Sequence, residues 1–228
     1  KNTKHIKIDS ELETLYEEWE KENPFELGLG WGNDPTCQKE MPVTLEQAKY
    51  YASKNQVALI ILGRTAGEDM DNTAQEGSWF LTNLERQLLE NVRKAFAKVV
   101  VVLNNSNIID MNFVQEYNID SVLIGWQGGI IGGQGVANVL TGLATPSGKL
   151  SDTIAKSIED YPAHTNFGNP EAETYQEDIY VGYRYFETFA KDKVMYPFGF
   201  GLSYSSFQID FDSAEKGDSV VPVLNCSV

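Results

Sequence analysis

Cysteine and histidine are scarce in this sequence, which holds only Cys37 and Cys226, His5 and His164. The two cysteines lie far apart, form no CxxC pair and have no histidine beside them. Neither a zinc site nor a disulfide framework is therefore expected, and both read as free structural thiols. The isolated histidines suit surface or hydrogen-bonded positions better than metal ligation or a triad base. No serine or cysteine sits in a nucleophile elbow and no GxxxxGK[ST] loop occurs, so no cofactor is called for. Basic residues are also short, 18 against 33 acidic ones, for a formal charge of −15. That sign disfavours phosphate backbones and anionic headgroups, so neither nucleic acid nor a membrane is an expected partner, while neutral ligands stay open. No signal peptide or apolar stretch of membrane-spanning length is visible, which points to the cytoplasm, and a start at Lys1 instead of methionine leaves the true beginning open.

What is present is globular. At 228 residues, 42% hydrophobic and 22% charged, the chain can bury one good-sized core and begin a second. Residues 1–41 read as an irregular acidic segment. Within it Ser10 and Glu13 offer a capping box for a short helix with Leu12, Leu15, Tyr16 and Trp19 on one face. The Gly-, Pro- and Asn-rich run from Asn23 to Glu40 reads as loop.

From Pro42 the pattern is regular. A helix capped by Thr44 and Gln47 leads into an apolar strand, Val57 to Leu62. A second helix, boxed by Thr82 and Glu85, carries Leu84, Leu88, Val92 and Phe96 on one stripe and runs into a strand at Val99 to Leu103. A short helical stretch at Met111 to Tyr117, a strand at Ser121 to Trp126 and a helix near Gln134 to Thr141 complete the alternation. Apolar strands separated by amphipathic helices predict an α/β fold: a parallel-sheet, three-layer α/β sandwich spanning 42–206. Ligands of such sheets collect beyond the carboxyl ends of the strands, here Gly63 to Asp71, Asn104 to Ile108 and Gln127 to Gly135.

After Pro146 the alternation fails and the chain becomes irregular and rich in tyrosine and phenylalanine, as ordered binding surfaces often are. A period-two pattern at Phe207 to Phe211 and a second strand in Val220 to Val228 suggest that 207–228 is the truncated start of a β domain. Two strands cannot bury a core alone.

The segment GRTAGEDMD, Gly63 to Asp71, puts Arg64, Glu68, Asp69 and Asp71 in a turn directly after a buried strand. A carboxyl group there can reach a ligand, and an apolar neighbour can raise its pKa until it donates a proton near neutral pH. Spacing alone favours a solvated loop closed by an Arg64–Glu68 ion pair, and any of the three carboxylates could be the working one. The run GWQGGIIGGQG, Gly125 to Gly135, approaches a dinucleotide fingerprint, but close packing and a sharp strand-to-helix turn explain its glycines better.

Three segments carry a resemblance. YQEDIYVGYRYFE at Tyr175 to Glu187, YPFGFGLSYSSF at Tyr196 to Phe207 and GVANVLTGLATPSGKLSDT at Gly135 to Thr153 resemble glycoside hydrolase family 3. The likeness runs from about Val57 to Phe207. It implies an α/β sandwich that packs against a catalytic barrel and leads into the first strands of a fibronectin-III-like β-sandwich. It also implies a retaining, exo-acting β-glycosidase, most similar to β-glucosidases, acting on a β-linked glucoside or oligosaccharide with a nucleophile and an acid/base about 5–5.5 Å apart. The family's nucleophilic aspartate belongs to the barrel, and its motif is absent here. Its acid/base lies in a loop of Arg, three residues, Glu and Gly followed by Asp, which carries over to Arg64, Glu68 and Asp71. Glu68 becomes the expected acid/base and Arg64 its support. Asp69 stands where the family usually has Gly, and Ser151 where it usually has Pro. The resemblance implies that this chain alone is inactive. The alternative is a non-catalytic carbohydrate-binding or domain-docking module. Trp79, Tyr180 and Tyr183 are candidates for sugar stacking, with packing the more expected role.

Overall fold

The computed structural model describes residues 6–30, 32–65, 71–169, 171–206, 208, 210–215 and 223–227, from 211 onward as backbone only. Chain order begins with α1 (Ser10–Glu22), α2 (Leu45–Ala52), β1 (Ala58–Gly63), α3 (Asn83–Ala95) and β2 (Val99–Asn104). There follow α4 (Phe113–Glu116), β3 (Ser121–Ile124), α5 (Gly132–Leu140), β4 (Ile154–Ala155), α6 (Tyr183–Phe189) and β5 (Val194–Tyr196). Strands β6 (Asp210–Glu215) and β7 (Val223–Ser227) close the chain.

Two of the three predicted capping boxes form. Gln47 N–H donates to Thr44 Oγ1 while Thr44 N–H donates to Gln47 Oε1, and Thr82 and Glu85 do the same for α3. The third is corrected. Asp9, not Ser10, caps α1, its carboxylate accepting from Glu11 N and Leu12 N at 3.1 and 3.2 Å. A carboxylate is the stronger acceptor and its charge suits the positive end of the helix. The Asn55 side-chain amide beside it, with the Leu12 amide next, holds the Asp9 carboxyl below the usual range. Tyr50 of α2 and Lys54 just beyond its end both donate to Glu11 of α1, so part of the segment read as irregular is docked helix.

β1, β2 and β3 form a parallel sheet in that order, with Ile60 opposite Val101 and Val101 opposite Val122. The register puts Ile60, Leu62, Val99, Val101 and Leu103 on one face, where they join Leu88, Leu89 and Val92 of α3 in the main core. Each such aliphatic side chain contributes roughly 1.5–3 kcal/mol by leaving water. The opposite face carries Leu59, Ile61 and Val102. Val102 is buried, but Leu59 and Ile61 of the edge strand are 49% and 60% exposed, so helical cover is complete on the α3 side only.

Beyond the parallel sheet, β4 and β5 make a small antiparallel pair, and β6 and β7 another, from Asp210–Ser227 to Glu215–Val223. The predicted strands at Phe207 to Phe211 and in Val220 to Val228 overlap β6 and β7 within the described residues, while Phe207, Ile209, 220–222 and Val228 lie outside them.

Candidate functional site

The carboxyl ends of β1 and β2 open onto a cleft of about 730 Å³. One wall comes from residues 71–74 and 106–108, which follow those two strands. The other is the segment after β4, with Tyr161, His164 and Phe167. Asp71 lines the cleft and is exposed. Glu68 and Asp69 lie outside the described residues. Both flanks of their segment are described.

On the leading flank, Arg64 N–H donates to Asn104 O and Thr65 N–H to Thr36 O, at 3.2 and 2.8 Å. The Arg64 side chain turns inward and makes five hydrogen bonds. Nη1 and Nη2 form a fork on Glu85 Oε1 and Oε2, at 2.5 and 3.0 Å, and Nε, Nη1 and Nη2 also donate to the carbonyls of Ser78, Gly63 and Phe80. The guanidinium has five N–H groups, and all are taken. The ion pair that Arg64 makes is therefore with Glu85, not the Arg64–Glu68 pair that spacing suggested. The reason is geometric: Glu85 is in the first turn of α3, directly behind the end of β1, where its carboxylate also caps the helix. Both side chains are about 5% exposed or less, so the charge of Arg64 is balanced locally.

On the trailing flank, Asn72 Nδ2 donates to Ile108 O and Thr73 N–H to Ser78 Oγ, at 2.6 and 2.9 Å. Asp110 N–H donates to Trp79 O, tying the 78–80 turn to the segment after β2. Gly77, at φ +79°, is required in that turn because an added Cβ would lie 2.6 Å from Cys37 Sγ. Burial pushes the Cys37 thiol up, with the Arg64 charge opposing it, and the thiol is free.

The aromatics sort by burial. Trp79 is 2% exposed and meets Tyr161 edge-on at 5.8 Å, and Tyr161 meets Phe186 in the same way at 5.4 Å. Trp79 is thus a core residue at the floor of the cleft. The Tyr161 hydroxyl accepts from Ala155 N–H and donates to Thr153 O, and burial raises it to about 12. Tyr183 stacks on Phe198 and Tyr180 meets Phe189 edge-on, so both pack within the aromatic segment rather than at the cleft.

The glycine run after β3 serves packing. A Cβ on Gly128 would meet Gly132 Cα at 2.6 Å, Trp126 and Gly129 adopt positive φ, and α5 begins without a side-chain cap. Among the described residues no cluster of three metal-ligating side chains occurs, and no helix is long and apolar enough to cross a membrane.

Sequence reading missed Ser78, Tyr161 and the second role of Glu85. The capping box was a visible signal for Glu85, but its pairing with Arg64 depends on how β1 and α3 meet in space.

The class defined by this architecture is an α/β domain with an acidic segment and a cleft at the carboxyl edge of a parallel sheet. Residues 3–204 match the family described as glycosyl hydrolase family 3 C-terminal domain, and the chain belongs to that family. The match begins well before Val57, where the motif resemblance started. A β-glucosidase from Ruminococcus albus is 47% identical over 94% of this chain and 23% of its own length. An exo-alpha-(1->6)-L-arabinopyranosidase from Bifidobacterium breve is 32% identical over 97% of this chain and 28% of its own. A solved β-glucosidase from Paenibacillus barengoltzii superposes with a TM-score of 0.90 at 48% identity, covering 97% of this chain and 24% of that one. The chain thus spans about a quarter of the length of these relatives.

Proposed function

We propose that this chain is the α/β sandwich of a retaining, exo-acting β-glycosidase, a β-glucosidase, and that Glu68 is its general acid/base. The observation that supports the reading is where the two described flanks lie: Arg64 and Thr65 follow the carboxyl end of β1, where ligands of parallel sheets collect, and Asp71 lines the cleft. The nucleophilic aspartate is supplied by a barrel outside these residues, in the same full-length protein, and the chain alone is inactive. Residues 207–228 open a fibronectin-III-like domain in this reading, with the sandwich at 42–206.

The chemistry requires a proton donor on the leaving oxygen and a carboxylate across the ring, with the donor becoming the base that activates water in the second half. Asp69 and Asp71 sit close enough in sequence to bias the proton of Glu68 or to share its role. Arg64, neutralised by Glu85, supports the segment as an anchor. The similarity to both a β-glucosidase and an arabinopyranosidase leaves the sugar to be set by the barrel.

The test is turnover of an aryl β-glucoside by the full-length protein and its Glu68→Ala variant, with and without azide. A fall of roughly 10²–10⁴-fold, restored in part by azide, is expected for loss of an acid/base. Unchanged turnover in Glu68→Ala ends the assignment, and the same experiment on Asp69→Ala and Asp71→Ala tells which carboxylate works.

A further inference from the structure

Among the described residues, three buried side-chain atoms find no hydrogen-bond partner, and each sits on a residue that lines the cleft or adjoins its lining. Trp79, 2% exposed, lines it and leaves Nε1 unpaired. Asn105, 3% exposed, leaves Oδ1 unpaired, and its amide turns toward the cleft wall, where Nδ2 donates to the carbonyl of Asn107. Thr153, 5% exposed, leaves Oγ1 unpaired. It follows the lining residue Asp152, and its carbonyl accepts from the hydroxyl of Tyr161, whose ring meets Trp79 edge-on. A buried polar atom without a partner costs about 1–3 kcal/mol, so three beside one cleft mark a floor that is completed by what the cleft holds, directly or through a bridging water.

The three atoms differ in kind. An indole N–H only donates, an amide oxygen only accepts and a threonine hydroxyl does both. A carboxylate or phosphate accepts and an ammonium donates, so each leaves part of such a floor unpaired, whereas hydroxyl groups serve all of it. Asp71 and Asp152 add acceptors, and no lysine or arginine is among the described lining residues, which further disfavours an anion. Phe167, 62% exposed, offers an apolar face for the C–H side of a ring. At about 730 Å³ the cleft has room for a sugar unit. We propose that the cleft binds a neutral, polyhydroxylated ring, the sugar on the leaving side of the scissile bond, with Phe167 packing on its apolar face and Trp79 Nε1 tied to its hydroxyls. The proposal rests on the function proposed above in making that unit the leaving group, because a domain that supplies the proton donor faces the departing oxygen.

Cellobiose and methyl β-glucoside both release an alkyl oxygen that needs protonation, but only cellobiose places a sugar beyond it. The experiment is kcat and KM of the full-length protein on both, for Phe167→Ala and Trp79→Phe, with calorimetric binding of thio-linked cellobiose, which is not hydrolysed. Phe167→Ala is expected to lose roughly 5- to 30-fold in kcat/KM on cellobiose, through KM, and less than about 2-fold on methyl β-glucoside. Affinity for thio-linked cellobiose falls by a similar factor. Trp79→Phe keeps an aromatic ring against Tyr161 and removes the N–H, and is expected to lose roughly 3- to 10-fold on cellobiose alone. Phe167 touches its own turn through its backbone N–H on Ala163 O, so Phe167→Ala leaves that bond in place and serves if Trp79→Phe folds poorly. Equal losses on both substrates, or none, in Phe167→Ala, with thio-linked cellobiose bound as in the parent, overturn the proposal. If Glu68→Ala leaves turnover of both substrates unchanged, the acid/base reading falls by itself, and the cellobiose-selective loss stands or falls on its own measurement. Where neither substrate is turned over, the binding comparison decides.

Discussion

Removing Glu85 isolates the Arg64 charge in the interior, and the cost can be worked from the contacts. The two side chains are 4% and 5% exposed, so solvent screens them little. Breaking a buried pair by deleting one partner costs about 3–5 kcal/mol, because the remaining charge has no compensation. Glu85 also accepts from Thr82 N–H at 2.7 Å, and loss of a helix cap adds about 1 kcal/mol. Glu85→Ala is thus expected to destabilise the domain by roughly 4–6 kcal/mol. The assay is urea unfolding of Glu85→Ala, Arg64→Met and the double variant. Because both charges leave together in the double variant, it should be more stable than the sum of the singles implies, with a coupling of about 2–3 kcal/mol. A cost under about 1 kcal/mol for Glu85→Ala, or strict additivity, would refute the buried pair as the lock between β1 and α3.

Further outcomes follow from other contacts. Burial, opposed by the Met41 amide and aided by the nearby Glu85 charge, raises the pKa of Glu40. A carboxyl with a raised folded pKa contributes stability that is present below the ordinary glutamate value and lost as pH rises through the raised one. Glu40→Gln should therefore match the parent near pH 4 and unfold at higher urea at pH 7, and a curve parallel to the parent at both pH values would contradict this. Gly128→Ala brings a methyl within 2.6 Å of Gly132 Cα and should cost about 1–3 kcal/mol. Gly133→Ala, inside α5 with nothing within 4 Å of the added methyl, should instead stabilise by about 0.5–1 kcal/mol, and thermal melts distinguish the two. Leu89, fully buried in the core, should cost about 2–5 kcal/mol on truncation to Ala, read from the same urea curves.

Much of the α/β frame was legible in the sequence because it is written locally. The capping boxes at Thr44 and Thr82, the apolar run at Val99 and the stripe Leu88, Val92 and Phe96 each occupy one stretch of chain, and each formed. The cap of α1 was misread by one residue because two adjacent side chains could both serve, and the choice falls to the stronger acceptor. The site was legible in a different way. Its acidic segment stood out by position after a strand and by family motif, whereas its surroundings did not.

Sequence by itself determined the elements of the parallel β/α alternation, their order and the family, since periodicity, caps and motif spacing need no knowledge of what lies across the fold. The short β4, α6 and β5 in the stretch read as irregular after Pro146 were not visible in it. Tertiary structure alone decided that Arg64 turns away from its own loop to Glu85, twenty-one positions on, and that Ser78 joins both flanks of the acidic segment. The physical reason is burial. A guanidinium enclosed between strand and helix must satisfy all its donors at once, and only the packed arrangement supplies the carboxylate and carbonyls at the required distances.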